Sequence, residues 1–297
     1  MQFESIRLED KPVFDKFFAE RRYENSWFTF TNLFVWRNTY STQWTRFQSS
    51  IVIKYRSDGQ DYFLPPFAPS DVSFAAQVDA LAEEVASTGA KFFMQGISDA
   101  MLAEIEGSFP GKYVSTPLRD RYDYLYRAED LRELAGRRYH AKRNHVNRFR
   151  AENPDWHYEP LKKGFAEECL QVASAWCGGR SCEMHAELQH EYEAISEAFN
   201  HYEELGLIGG LVRIGGKAEA FTLGEYMNED TVVVHIEKAD PAITGLYPVI
   251  NQEFCRRFDA DVAYVNREED MGNEGLRKAK ESYYPVRLVE KHELTLG

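Results

Sequence analysis

Three apolar stretches follow one another closely, at residues 207–214, 218–226 and 231–237, with Gly215-Gly216 and Asn228-Glu229-Asp230 between them. Connections this short leave no room for a crossover helix, so neighbouring stretches must run antiparallel, and the segment predicts a three-stranded meander. Around it, residues 156–160 read as a strand and 165–176 and 188–205 as helices. Helix 246–258, strand 262–265, helix 274–282 and strand 286–291 follow. This order lacks the strict βαβ repetition of a doubly wound sheet and gives the fold class as α+β.

The first half alternates in a similar way. Residues 12–20 are helical in pattern, and the aromatic run 27–36 repeats its apolar positions at helical spacing. Residues 51–55 and 62–64 flank Asp58-Gly59 and predict a hairpin that Pro65-Pro66 ends. An amphipathic helix over 74–86 stops at Gly89, 91–95 is a short strand, and Ser98 caps a helix that Gly107 and Pro110 terminate. Residues 122–126 form a strand, after which the composition turns basic. With 297 residues the chain suits two lobes, and the boundary is set near Arg127, giving domains 1–127 and 128–297. No sequence repeat between them is visible.

Hydrophobic residues at 43% suffice for a core. No run reaches the ~18 apolar residues of a membrane span, and the opening residues lack a signal peptide's apolar stretch. The expected location is the cytoplasm, with Cys169, Cys177, Cys182 and Cys255 as reduced thiols. A net charge of −13 excludes a protein that coats nucleic acid over its whole surface. The charge is uneven, however: residues 131–163 hold nine Lys/Arg against four Asp/Glu, a net of +5 that leaves −18 elsewhere.

That basic segment contains Leu134-Ala135-Gly136-Arg137-Arg138-Tyr139-His140-Ala141-Lys142-Arg143-Asn144-His145-Val146-Asn147-Arg148-Phe149. It is similar to the Leu-x-Gly, basic, Arg-Asn-x-x-Asn-Arg pattern that opens the catalytic domain of bacterial phosphatidylglycerol lysyltransferases. Gly275-Leu276-Arg277-Lys278-Ala279-Lys280-Glu281-Ser282-Tyr283-Tyr284-Pro285 resembles that family's closing segment, and Leu223-Gly224-Glu225 through His235-Ile236-Glu237-Lys238 fits the meander between them. The three blocks are collinear over residues 131–297. The whole chain also resembles a widespread group of soluble bacterial proteins that carry this domain. The resemblance implies two tandem GNAT-like acyltransferase domains, each a mixed, mostly antiparallel sheet flanked by helices, as in the peptidoglycan-bridge aminoacyltransferases. It implies transfer of an activated acyl group, with aminoacyl-tRNA as a donor, onto an amine or hydroxyl. The lysyltransferases' multi-helix membrane portion has no counterpart here, so a lipid acceptor is not carried over.

Residue chemistry gives these expectations local content. Arg137, Arg138, Lys142, Arg143 and Arg148 would form a ridge for tRNA phosphates, which Arg and Lys hold regardless of base sequence; a solvated face is the plain alternative. Alternation in the third meander strand puts Val233, His235 and Glu237 on one face, making Glu237 and His235 the candidate bases. Lys280 and Tyr283, three residues apart, would share the cleft, Lys280 neutralising an oxyanion or phosphate and Tyr283 protonating the leaving oxygen. Tyr283-Tyr284-Pro285 serves equally well as an aromatic plug. Arg267, Glu268, Glu269 and Asp270 follow a strand where such loops border sites, and with Arg277 they are the candidate substrate-binding set. Those acids also suit the start of the next helix.

Most GNAT enzymes cradle coenzyme A in a glycine-rich loop at a helix start. The matching residues, Lys238-Ala239-Asp240-Pro241-Ala242-Ile243-Thr244-Gly245-Leu246, offer one glycine and an intervening proline, so coenzyme A is the lesser option and no other cofactor is expected. Cys177, Cys182, His185 and His190 match no common zinc spacing and have Arg180 among them, so no metal is expected. A coenzyme A-dependent N-acetyltransferase and a non-catalytic binding module on the same fold remain the rival readings.

Overall fold

The computed structural model describes residues 1–178 and 186–297. Of the cysteine–histidine set weighed above, Cys182, His185 and the side chain of Cys177 lie outside them. The chain divides into two compact units, each drawing on more than one stretch of sequence. The first comprises Met1–Asp123, Glu269–Arg277 and Leu288–Gly297; the second comprises Tyr124–Glu268 and Lys278–Arg287. Where the sequence reading draws one boundary near Arg127, the units change over at 123–124 and exchange short segments near the end of the chain.

In the first half the elements are β1 (Glu4–Ser5), α1 (Lys11–Ala19), α2 (Phe30–Val35), β2 (Gln43–Phe47), β3 (Ser50–Ser57), β4 (Gln60–Phe63), α3 (Phe74–Ser87), β5 (Phe93–Ile97), α4 (Asp99–Ser108), β6 (Tyr113–Pro117) and β7 (Asp123–Arg127). Asp58 and Gly59 make the predicted turn between β3 and β4, both at positive φ (51° and 77°). The Ser73 hydroxyl accepts the Ala76 amide at 3.3 Å and starts α3. The helix then buries Phe74, Val78, Leu81 and Val85 against Val52, Met94 and Leu294.

The second half contains α5 (Ala128–Glu133), α6 (His140–Glu152), β8 (His157–Pro160), α7 (Ala166–Gly178), α8 (Ala186–Asn200), β9 (Ile208–Ile214), β10 (Lys217–Asn228), β11 (Thr231–Ala239), α9 (Leu246–Cys255), β12 (Tyr264–Asn266), α10 (Glu274–Glu281), β13 (Arg287–Val289) and β14 (His292–Leu296). β9, β10 and β11 are the predicted meander. The expected final strand over 286–291 is instead two strands with Lys291 between them. Lys291 is fully buried and reaches Asp123 Oδ1 at 2.6 Å.

Two seven-stranded sheets result, ordered β1-β2-β3-β4-β5-β14-β6 and β13-β7-β12-β11-β10-β9-β8. Read from β8, the second repeats the pattern of the first: five strands in sequence order, one strand from the other half of the chain, then a sixth. Each sheet contains one parallel pair at the same position, β4 with β5 and β11 with β12; the other registered pairs are antiparallel. This is the mixed α+β architecture expected, and it contains an internal repeat that the sequence conceals. Among the described residues no helix is long and apolar enough to cross a membrane. The one cluster of metal-ligand types among them, Asp99, Glu290 and His292, belongs to the first unit.

Candidate functional site

In the second unit, β11 is paired along its length on one side only. Its register with β10 runs from Asn228↔Thr231 to Ala220↔Ala239. With parallel β12 it stops at Val233↔Asn266. Beyond Val233 that pairing ends, and residues 234–239 have no strand registered on that side.

The pairing with β12 ends beside a bulge in the ladder with β10. Leu223 pairs with Ile236 and Gly224 with Val234, leaving His235 without a partner across the ladder. A Cβ on Gly224 would stand 2.2 Å from the Val233 carbonyl oxygen, so this approach of the strands requires glycine. The bulge also interrupts the alternation that predicts a common face for His235 and Glu237, and the two engage separate partners. His235 Nδ1 lies 2.8 Å from Glu268 Oε1 and Nε2 lies 2.9 Å from Glu225 Oε1. Burial works against the imidazolium, but the two carboxylates outweigh it and raise the pKa to about 10. His235 is therefore charged at neutral pH, donates from both nitrogens, and cannot serve there as a base.

Glu237 is held from two sides. Arg267 Nη2 donates to Oε1 at 2.9 Å, and Asn251 Nδ2, from α9, donates to Oε2 at 3.2 Å. The Arg267 guanidinium lies 4.9 Å from the Tyr283 ring centroid, and Lys142 Nζ sits 3.8 Å from the centroid of the same ring. Burial opposes the charge of Arg267, yet Glu237 keeps its pKa above the ordinary value. Burial also raises the Tyr283 phenol, so its hydroxyl keeps its proton. Lys142 goes the other way: burial and Arg267 lower its pKa to about 8 against the pull of Glu237.

The segment that carries Tyr283 is tied down by its backbone. Tyr126 Oη donates to the Lys280 carbonyl and Tyr139 Oη to the Tyr283 carbonyl, each at 2.9 Å. Buried Lys280 donates to the carbonyls of Arg267 and Glu268, so its ammonium braces the loop that follows β12. Amid this network Arg267 Nη1, Asn251 Oδ1 and Thr222 Oγ1 are buried without a hydrogen-bond partner. Thr222 stands directly opposite Glu237 across the ladder. Each such orphan costs about 1–3 kcal/mol unless a water, an ion or a bound group satisfies it.

The other candidate residues are spread more widely. Asp270, Glu269 and Arg277 belong to the first unit. Fully buried Asp270 receives Arg277 Nε at 2.9 Å and Nη2 at 2.8 Å, while Glu269 accepts from Trp27 Nε1 at 3.3 Å. On the basic segment, Arg138 pairs with Asp130 at 2.8 Å, Arg148 with Glu152 at 2.7 Å, and Arg143 donates to the carbonyls of Leu134 and Gly136. Arg137 and Arg148 are exposed. Val146 and Phe149 form the buried face of α6.

A family model described as phosphatidylglycerol lysyltransferase, C-terminal, matches residues 18–292. The chain belongs to this family. The lysyltransferase C-terminal match spans both sheets, whereas the sequence motifs are confined to residues 131–297. A conserved protein of unknown function from Bacteroides thetaiotaomicron is 37% identical, with 100% of both chains covered and a TM-score of 0.93. L-PGS from Bacillus licheniformis is similar in fold, with 15% identity, a TM-score of 0.66, and 97% of this chain and 92% of that one covered. A tandem GNAT protein from the clavulanic acid biosynthesis pathway, at 9% identity and a TM-score of 0.51, covers 100% of this chain and 98% of its own. The lysyltransferase-like chain is thus a tandem GNAT fold. No curated protein sequence matches it.

Sequence reasoning missed Glu225, Asn251 and the inward placement of Lys142. The signal for Asn251 is present: Asn251-Gln252-Glu253 are three consecutive polar residues, all buried, within an otherwise apolar helix.

Proposed function

We propose that this protein is an aminoacyltransferase that moves an activated aminoacyl group from aminoacyl-tRNA onto an amine or hydroxyl acceptor. The observation that carries the reading is the end of the β11–β12 pairing at Val233, with the unsatisfied Arg267 Nη1, Asn251 Oδ1 and Thr222 Oγ1 grouped around Glu237. The unused Arg267 Nη1 suits the oxygen that becomes negative when an ester carbonyl is attacked; one such donor is worth about 10²–10³ in rate. Asn251 Oδ1 suits the ammonium of an amino acid. Tyr283 keeps its proton and can give it to the leaving oxygen. Lys280 positions Arg267 by bracing its carbonyl, and Glu237 holds the guanidinium in place.

Coenzyme A fits the residues poorly. The turn before α9 has its single glycine committed to packing, since a Cβ on Gly245 would meet the His145 carbonyl oxygen at 2.3 Å. That supports a donor held elsewhere, and the family supports an aminoacyl one.

Filter binding of charged and uncharged total tRNA over a salt series tests the reading. Binding that weakens steeply with salt is expected. No binding at the lowest salt sinks the tRNA donor.

A further inference from the structure

We propose that Lys142 Nζ is the base that takes the proton from the acceptor. The inference rests on the transfer reading above and replaces Glu237 and His235 in that role. It begins from the other groups near the end of the β11–β12 pairing, each of which is committed. Both oxygens of Glu237 accept hydrogen bonds, from Arg267 and Asn251. His235 is an imidazolium engaged at both nitrogens. Lys280 spends its ammonium on two carbonyls. Tyr283 holds its proton more tightly than a free phenol.

Lys142 differs in placement and in environment. It is half-buried on the first turn of α6, and its amine lies over the Tyr283 ring at 3.8 Å. The charged groups acting on it are Arg267, next to β12, and Glu237, on β11; Tyr283 faces it from beyond α10. On its own segment, Arg138 is tied to Asp130 and Arg143 to the carbonyls of Leu134 and Gly136. Burial and Arg267 lower its proton affinity, with a pKa of about 8, so about a tenth of the amine is neutral at pH 7 and about half at pH 8. A base poised close to the working pH is the effective one.

The step balances. The acceptor's nitrogen or oxygen forms its bond to the ester carbonyl carbon as its proton passes to Nζ. The bond from that carbon to the ribose oxygen then breaks, and the ammonium of Lys142 returns the proton to the leaving oxygen, directly or through Tyr283. No proton is gained or lost overall.

The test uses the full chain, total tRNA charged with radiolabelled amino acids, and methanol, whose hydroxyl does not titrate in this range. For the unaltered protein the transfer rate should rise with pH and level off above about 8. Lys142→Arg, which keeps the charge and cannot lose it, should cut the rate by about 10²–10⁴ with little change in the apparent KM, and should abolish the pH rise. Lys142→Met should behave alike while melting normally. An NMR titration of the lysine ε-carbons, assigned by loss of the Lys142 signal in the variant, should give a midpoint near 8. Transfer by Lys142→Arg at the original rate and pH profile, or a midpoint at the ordinary lysine value, overturns the role of Lys142 alone. No transfer by the unaltered protein at any pH overturns the transfer reading and the base with it.

Discussion

At the residue scale, His235 shows how a buried group records pH in stability. Its folded pKa of about 10 lies above its ordinary 6.5, so the folded state binds the proton more tightly. The resulting stabilisation is fully present below about pH 6.5 and is lost as pH rises through about 10. Lys142 has the opposite sign: a folded value of about 8 below an ordinary 10.5 imposes a penalty that is relieved as pH rises from 8 to 10.5. The two overlap, so the cleanest measurement compares the chain with His235→Gln. Urea midpoints should fall between pH 7 and 10 more steeply in the unaltered protein than in the variant; equal slopes would contradict the charged imidazole. The sequence showed His235 and Glu237 as polar residues in an apolar strand. It did not show their partners, because Glu225, Asn251 and Glu268 come from three other segments and the bulge at His235 breaks the two-residue period. Lys142 was legible only as one more cation in a basic run.

At the element scale, the strands with clear apolar patterns are the legible ones, and β8, read at 156–160 although it has no buried residue, is an exception. β3, β9, β10 and β11 carry buried runs that announce them. β6 exposes every residue after Tyr113, and β2 has no buried residue, so neither offers a periodic signal. β14 is not anticipated: the strand expected over 286–291 covers β13, while Lys291 is a buried lysine after it and His292 the first residue of β14. Within β14, Leu294 is fully buried in the first unit's core. Leu294→Ala should cost about 2–5 kcal/mol in denaturant unfolding. A loss below about 1 kcal/mol would mean that this strand contributes little to that core.

On the scale of the whole molecule, charge and topology argue separately. A net −13 repels a polyanion, and residues 131–163, at +5, are a segment of the opposite sign. The pairs made by Arg138 and Arg148 are exposed and exchange at little cost. Replacing exposed Arg137 and Arg148 by Glu should weaken tRNA binding and flatten the plot of log affinity against log salt by roughly 0.7–0.9 per lost phosphate contact. An unchanged slope would place the contact elsewhere. The tandem fold, by contrast, shows no visible repeat of residues between the two halves. Strand order depends on where apolar and turn residues fall, and that pattern survives while residue identities change.

The exchange of strands between the two sheets also has a consequence for synthesis. As the chain leaves the ribosome, β5 and β6 are made early, but the strand that lies between them, β14, arrives only after the entire second sheet. Until then the two edges it will join stand open, each a row of unpaired peptide groups able to capture another chain. The first half cannot complete its folding as it is made, as N-terminal domains usually do. The nascent protein therefore depends on residues 292–296 to close a sheet begun with residues 4–5.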